Sequence, residues 1–136
     1  MNTVVTVKLK TISPLAYIPK YKSGSGAGAL IRSIENKMLE PNVPRVVKTG
    51  ICIELPAGYE AQIRTNPEVV RETGLIVLDS PSTISADDRG EITVLMVNMS
   101  KRAIEIHMGD TIALLVLSSV FTARFQTVKM LTPKSV

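Results

Sequence analysis

The sequence has a single cysteine, Cys52, and a single histidine, His107. One cysteine excludes an intrachain disulfide. A Cys/His zinc site or a Ser-His-Asp triad would rest on single residues without recognisable partners. There is no tryptophan, and only two phenylalanines and three tyrosines, so few rings are available for stacking on bases. No apolar stretch approaches the roughly 20 residues of a membrane span. The opening MNTVVTVKLK breaks its short apolar run with Lys8 and Lys10, unlike a secretion signal. The sequon Asn98-Met99-Ser100 is discounted for the same reason. A cytoplasmic location is expected, or a particle such as a virion assembled there.

The residues present suit a β-rich fold. Apolar residues make up 45% of the chain and are mainly Val, Ile and Leu, whose branched side chains pack on pleated surfaces. The 136 residues are expected to form one domain over 1–136, large enough for a core without metal or disulfide. The net charge of +4 is unevenly spread. Residues 1–34 carry five cations and no acid, residues 111–136 carry three cations and no acid, and all twelve acids fall between. No cationic cluster is dense, so these charges read as solubilising rather than as a nucleic-acid surface.

Strand signals recur at close spacing. Thr3 to Leu9 is β-branched, and Tyr59 to Arg64 alternates Tyr, Ala and Ile against Glu, Gln and Arg. Glu91 to Val97 and Ala103 to Met108 read as further strands. Thr111 to Val120, almost continuously apolar, reads as a central strand buried on both faces. Cys52, between Ile51 and Ile53, reads as a small strand residue. Turn residues separate these runs at Ser23-Gly24-Ser25-Gly26, Pro41-Asn42, Pro56-Ala57-Gly58, Ser80-Pro81-Ser82, Arg89-Gly90 and Gly109-Asp110. One short helix is predicted around Pro67 to Thr73, opened by Pro67 and ended near Gly74. Many short strands with one helical segment indicate an all-β sandwich or barrel.

The Gly-rich stretch 24–28 fits neither phosphate-loop fingerprint. The segments C-terminal to it carry a more specific pattern. Ala27-Gly28-Ala29-Leu30-Ile31 resembles A-G-x-D-L. Lys48-Thr49-Gly50-Ile51 and Pro56-Ala57-Gly58-Tyr59 resemble T-G-I and P-x-G-Y. Gly74 to Pro81 and Thr83 to Ile92 resemble G-I-x-V-x-N-S-P-G-T-I-D-x-D-Y-R-G-E-I, and Gly109-Asp110-Thr111-Ile112-Ala113-Leu114-Leu115 resembles G-D-R-I-A-Q-L. Four segments in this order, between about residues 17 and 129, are similar to the trimeric dUTPases.

The resemblance implies a jelly-roll-type β-barrel and a homotrimer with three sites at subunit interfaces. In the active family, magnesium holds the triphosphate and a carboxylate activates the water that attacks the α-phosphorus. A Gly-rich C-terminal arm closes over the nucleotide.

Several positions depart from that pattern. Ser85 falls on the catalytic aspartate, and a hydroxyl is a poor base unless another base activates it, with no histidine at hand. On a regular strand, Asp87 would share the face of Ser85 but lie roughly 6–7 Å along it, with Asp88 on the opposite face, so neither is expected to replace the base. Asp88 replaces the uracil-stacking tyrosine. Leu30 replaces the aspartate linked to the metal, and an apolar side chain offers magnesium no oxygen. Asn66 and Pro67 replace the phosphate-contacting Arg and Ser, Glu68 adds a negative charge beside them, and Leu114 replaces a glutamine. No Gly-rich arm follows Arg124 to Val128.

These departures lead to the expectation of a non-catalytic protein, a trimeric structural, assembly or docking module such as a capsid-decorating protein. The expected partners are copies of itself and a protein or larger assembly, without cofactor or metal, and not a membrane, nucleic acid or nucleotide. A degenerate pocket near Gly28, Ser85, Asp87 and Arg89 is the candidate site, with no catalytic residue assigned. The alternative is a residual or altered dUTP diphosphatase, or a nucleotide-binding regulatory protein.

Overall fold

The computed structural model describes residues 3–24 and 26–135; Ser25, within the first predicted turn, lies outside the described residues. In chain order the elements are β1 (Lys8–Thr11), β2 (Lys20–Tyr21), β3 (Gly28–Arg32), β4 (Lys37–Leu39), β5 (Arg45–Lys48), β6 (Ile51–Glu54) and β7 (Tyr59–Arg64). They continue with α1 (Pro67–Thr73), β8 (Leu75–Val77), β9 (Ser82–Ile84), β10 (Thr93–Asn98), β11 (Ile104–Ile106) and β12 (Thr111–Ser119).

The fold is all-β with one short helix. Its strands form four sheets: β1-β6, β5-β10-β8, β11-β4 and the five-stranded β2-β3-β12-β7-β9. The ladders are antiparallel. The sheets wrap one core but remain four separate sheets and do not close into the expected barrel.

The core is aliphatic, as the composition implies. Ile31, Leu39, Val47, Ile51, Ile63, Met96, Ile106 and Ile112 are essentially inaccessible to solvent and belong to one cluster that draws on all four sheets. No aromatic ring enters that cluster among the described residues.

The helix forms where its signals stand. Asn66, with extended backbone, caps it by accepting a hydrogen bond from the Glu68 N–H at 3.0 Å. Pro67 then takes the first position, where its missing N–H costs nothing. Gly74 ends the helix at φ 82°, a left-handed conformation that L side chains rarely adopt.

Two strand expectations change. The first ladder begins at Lys8, not Thr3, since β1 pairs only with Ile51–Glu54. β12 is the central strand of its sheet, but only Ile112 and Ala113 on it are buried, and Leu114 to Ser118 are half-exposed.

A cleft of three motif segments and a separate turn

The first, second and fourth motif segments converge on one cleft of about 690 Å³, within the size range of small-molecule sites. Gly28 and Leu30 reach it from β3, Asn66, Pro67 and Glu68 from the start of α1, and Asp110, Thr111, Ile112 and Leu114 from β12. β3 and β12 are hydrogen-bonded neighbours, with Leu114 opposite Leu30. A Cβ on Gly28 would stand 3.1 Å from the Leu114 side chain. Leucines at 30 and 114 therefore make the floor apolar.

The rim is charged. Lys22, Arg71, Glu68, Glu72, Glu105 and Asp110 line the cleft. Lys22 Nζ donates to Glu68 Oε1 at 2.7 Å. That hydrogen bond and charge hold the Glu68 carboxyl below its ordinary range and raise the Lys22 ammonium above its own.

His107 stands next to this rim without lining the cleft, a neighbour that sequence reasoning missed. Its Nε2 lies 3.2 Å from Glu105 and its Nδ1 3.7 Å from Asp110, two residues that line the cleft. Asp110 is committed to the turn: its carboxylate accepts the His107 N–H at 2.8 Å. Tyr17 packs against the same turn. Its hydroxyl lies 2.9 Å from where a Gly109 Cβ would be. Arg32 passes 5.8 Å from its ring centroid and donates to the Gly109 carbonyl at 2.8 Å.

Ser85, Asp87 and Arg89 lie elsewhere. They follow β9, the last strand of the five-stranded sheet, whereas Gly28 opens β3 near the other edge. Three strand spacings of about 4.8 Å separate β3 from β9. The chain thus brings Ser85, Asp87 and Arg89 together on one turn but does not bring Gly28 to them.

That turn also replaces the strand geometry anticipated for it. Ser85 donates its N–H to the Asp88 carboxylate at 2.9 Å, and Asp88 returns its N–H to the Ser85 carbonyl at 3.1 Å. Arg89 donates to the carbonyls of Ala86 and Asp88 and lies 3.6 Å from Glu54. Glu91 accepts the Gly50 N–H at 3.0 Å. Arg89 and Glu91 are therefore occupied within the chain. Asp87 differs: it is exposed, and among the described residues no hydrogen bond or ion pair holds its carboxylate.

The donor set does not form a magnesium cage. Leu30 presents carbon to the cleft, Glu68 is paired with Lys22, and no group of three ligating side chains occurs among the described residues.

The fold and cleft define a β protein with a small-molecule-sized site built from three separated segments of chain. A family model described as dUTPase matches residues 15–136, and the chain belongs to the dUTPase family. Its relatives include deoxyuridine 5'-triphosphate nucleotidohydrolases. That of Helicobacter pylori strain Shi470 is 38% identical over 88% of this chain and 82% of the relative. That of Neorickettsia sennetsu is 47% identical over 76% and 70%, and that of Clostridium tetani 35% identical over 96% and 90%. Among solved structures, the Staphylococcus bacteriophage 80alpha dUTPase with dUPNHPP superposes with a TM-score of 0.87. It covers 96% of this chain and 92% of that one at 22% identity, a likeness of fold.

These relatives overturn the expectation of a non-catalytic structural, assembly or capsid-decorating module. They are named as hydrolases across most of this chain's length. The error has a physical source. Taken as a set, the departures read as release from catalysis, yet that reading counts only groups at motif positions and not side chains such as Lys22 that the fold brings to the cleft from elsewhere. No described helix is long and apolar enough to cross a membrane.

Proposed function

We propose that this chain is a dUTP diphosphatase with an altered site. The observation that carries the reading is the identity of 35–47% to dUTP nucleotidohydrolases over most of the chain, joined to a cleft of about 690 Å³ lined by three of the four motif segments. In the proposed reaction, water attacks the α-phosphorus of dUTP and the bond from that phosphorus to the bridging oxygen breaks. The products are dUMP and pyrophosphate. The enzyme would act in the cytoplasm.

The site is altered at its base. Ser85 stands where the resemblance calls for the catalytic aspartate, and we assign the water-activating role to Asp87. Its carboxylate is solvent-exposed and unpaired among the described residues, whereas that of Asp88 is used by the Ser85 N–H. A base must come within about 3 Å of its proton or act through one water. In one chain the turn 85–89 and the cleft lie near opposite edges of the same sheet. We therefore propose a homotrimer in which the turn of one copy meets the cleft of another. The half-exposed face of β12 supports such packing.

The test is hydrolysis of dUTP by the purified chain with magnesium in ¹⁸O-labelled water, with its mass measured by light scattering. The reading expects dUMP carrying the label and a particle of three chains. Absence of turnover above a protein-free control would overturn it.

A further inference from the structure

The cleft mouth is spanned by one ion pair between residues 46 positions apart. Lys22 stands in the bend between β2 and the Gly-rich stretch, and Glu68 stands in the first turn of α1. Their side chains meet at 2.7 Å while remaining 69% and 62% exposed. Both line the cleft. No other ion pair among the described residues joins two cleft-lining residues.

The charges around the cleft oppose a polyanion. Its lining carries the cations Lys22 and Arg71 against the acids Glu68, Glu72, Glu105 and Asp110. Lys22, the cation nearest the Gly-rich stretch, is already satisfied by a carboxylate, and Glu72 adds a weaker pull on it. A phosphate chain entering beside α1 would need the same ammonium. It would have to displace Glu68 and would then lie next to a negative charge it cannot neutralise. Because the pair is exposed, it opens at small cost, so it tunes entry and does not seal the cleft.

We propose that Lys22 is the residue that receives the substrate's phosphates, and that Glu68 is a built-in competitor for it, setting the chain's affinity for polyphosphates. The inference rests on the reading of this cleft as the nucleotide site, and it names the charge pair that controls that site. It also predicts the direction of salt dependence. Screening weakens the Lys22–Glu68 pair and the polyphosphate contact together, so the difference made by Glu68 is greatest at low ionic strength.

The experiment is titration calorimetry with inorganic tripolyphosphate at low salt, on the full chain and on Glu68→Gln, Lys22→Ala and the double variant. Melting curves establish that each variant is folded. Glu68→Gln is expected to bind tripolyphosphate about three- to fivefold more tightly, in line with the release of one exposed ion pair. Lys22→Ala is expected to weaken binding, and in that background Glu68→Gln should bring little gain. Unchanged affinity in Glu68→Gln, or an equal gain with and without Lys22, would overturn the proposal. Undetectable binding by both the natural chain and Glu68→Gln would do the same. The readout is independent of dUTP turnover: a chain that fails to hydrolyse dUTP but shows this pattern keeps the gate and loses the catalytic reading.

Discussion

Ser85 and Asp88 hold each other through two hydrogen bonds, the Ser85 N–H on the Asp88 carboxylate at 2.9 Å and the Asp88 N–H on the Ser85 carbonyl at 3.1 Å. The residue in the place of a stacking ring has thus become a structural acceptor, and the turn presents Asp87 at its tip. Asp88→Ala removes a charge-assisted bond at an exposed site. It should cost about 1 kcal/mol, visible as a fall in melting temperature of about 3–6 °C. Asp88→Asn keeps an acceptor and should recover most of the loss. Equal destabilisation by both would mean that the carboxylate acts through charge alone.

Asn66 stands where the resemblance expects a phosphate-contacting arginine, yet it is buried and caps α1. Asn66→Ala should destabilise the fold by about 1–2 kcal/mol, while Asn66→Asp or Asn66→Ser should be nearly neutral. Denaturant unfolding with unchanged slope measures this directly.

Asn98 is inaccessible to solvent. Its amide nitrogen donates to the carbonyls of Leu39 and Arg102, and its oxygen accepts from the Ser100 N–H and hydroxyl. Asn98→Ala leaves buried polar groups unpaired at about 1–3 kcal/mol each, so a loss of roughly 2–4 kcal/mol is expected. Mass spectrometry of chain expressed in a secretory host should find no glycan on folded protein, since the nitrogen a glycan requires is enclosed.

Glu35 should contribute to the acid limb of the stability curve. Burial pushes its carboxyl upward, but the backbone N–H of Lys48 at 3.0 Å and the Lys37 ammonium at 3.2 Å outweigh burial and leave it below its ordinary 4.5. A carboxyl depressed on folding contributes stability that is present above its unfolded value and is lost as pH falls through its folded value. Stability of the natural chain should therefore drop on acidification across that interval. Glu35→Gln should show a shallower drop there, with lower stability at neutral pH. Parallel curves for the two proteins would contradict the assignment.

Much of the architecture is legible in the sequence because its signals are local. Tyr59 to Arg64 forms a strand over the residues that alternate, and Pro67 to Thr73 forms a helix between Asn66 and Gly74. The motif segments point to the family through their order. The features that are not legible depend on contacts distant in sequence. Lys22 meets Glu68, 46 positions away, only because the bend after β2 and the start of α1 reach the same cleft. The turn at Ser85 reads as strand in the sequence because alternation cannot reveal a side chain bonding back to the backbone three residues away. The motifs mislead about function for a related reason: a residue missing from a motif position says nothing of the carboxylates that folding leaves free nearby.

The most direct measurement is the rate of pyrophosphate release from dUTP with magnesium, for the natural chain and for Asp87→Asn and Ser85→Ala. The account predicts turnover by the natural chain, a loss of at least about 10²-fold in Asp87→Asn, as removal of a general base produces, and a smaller loss in Ser85→Ala. No turnover by the natural chain, or full activity in Asp87→Asn, would contradict it.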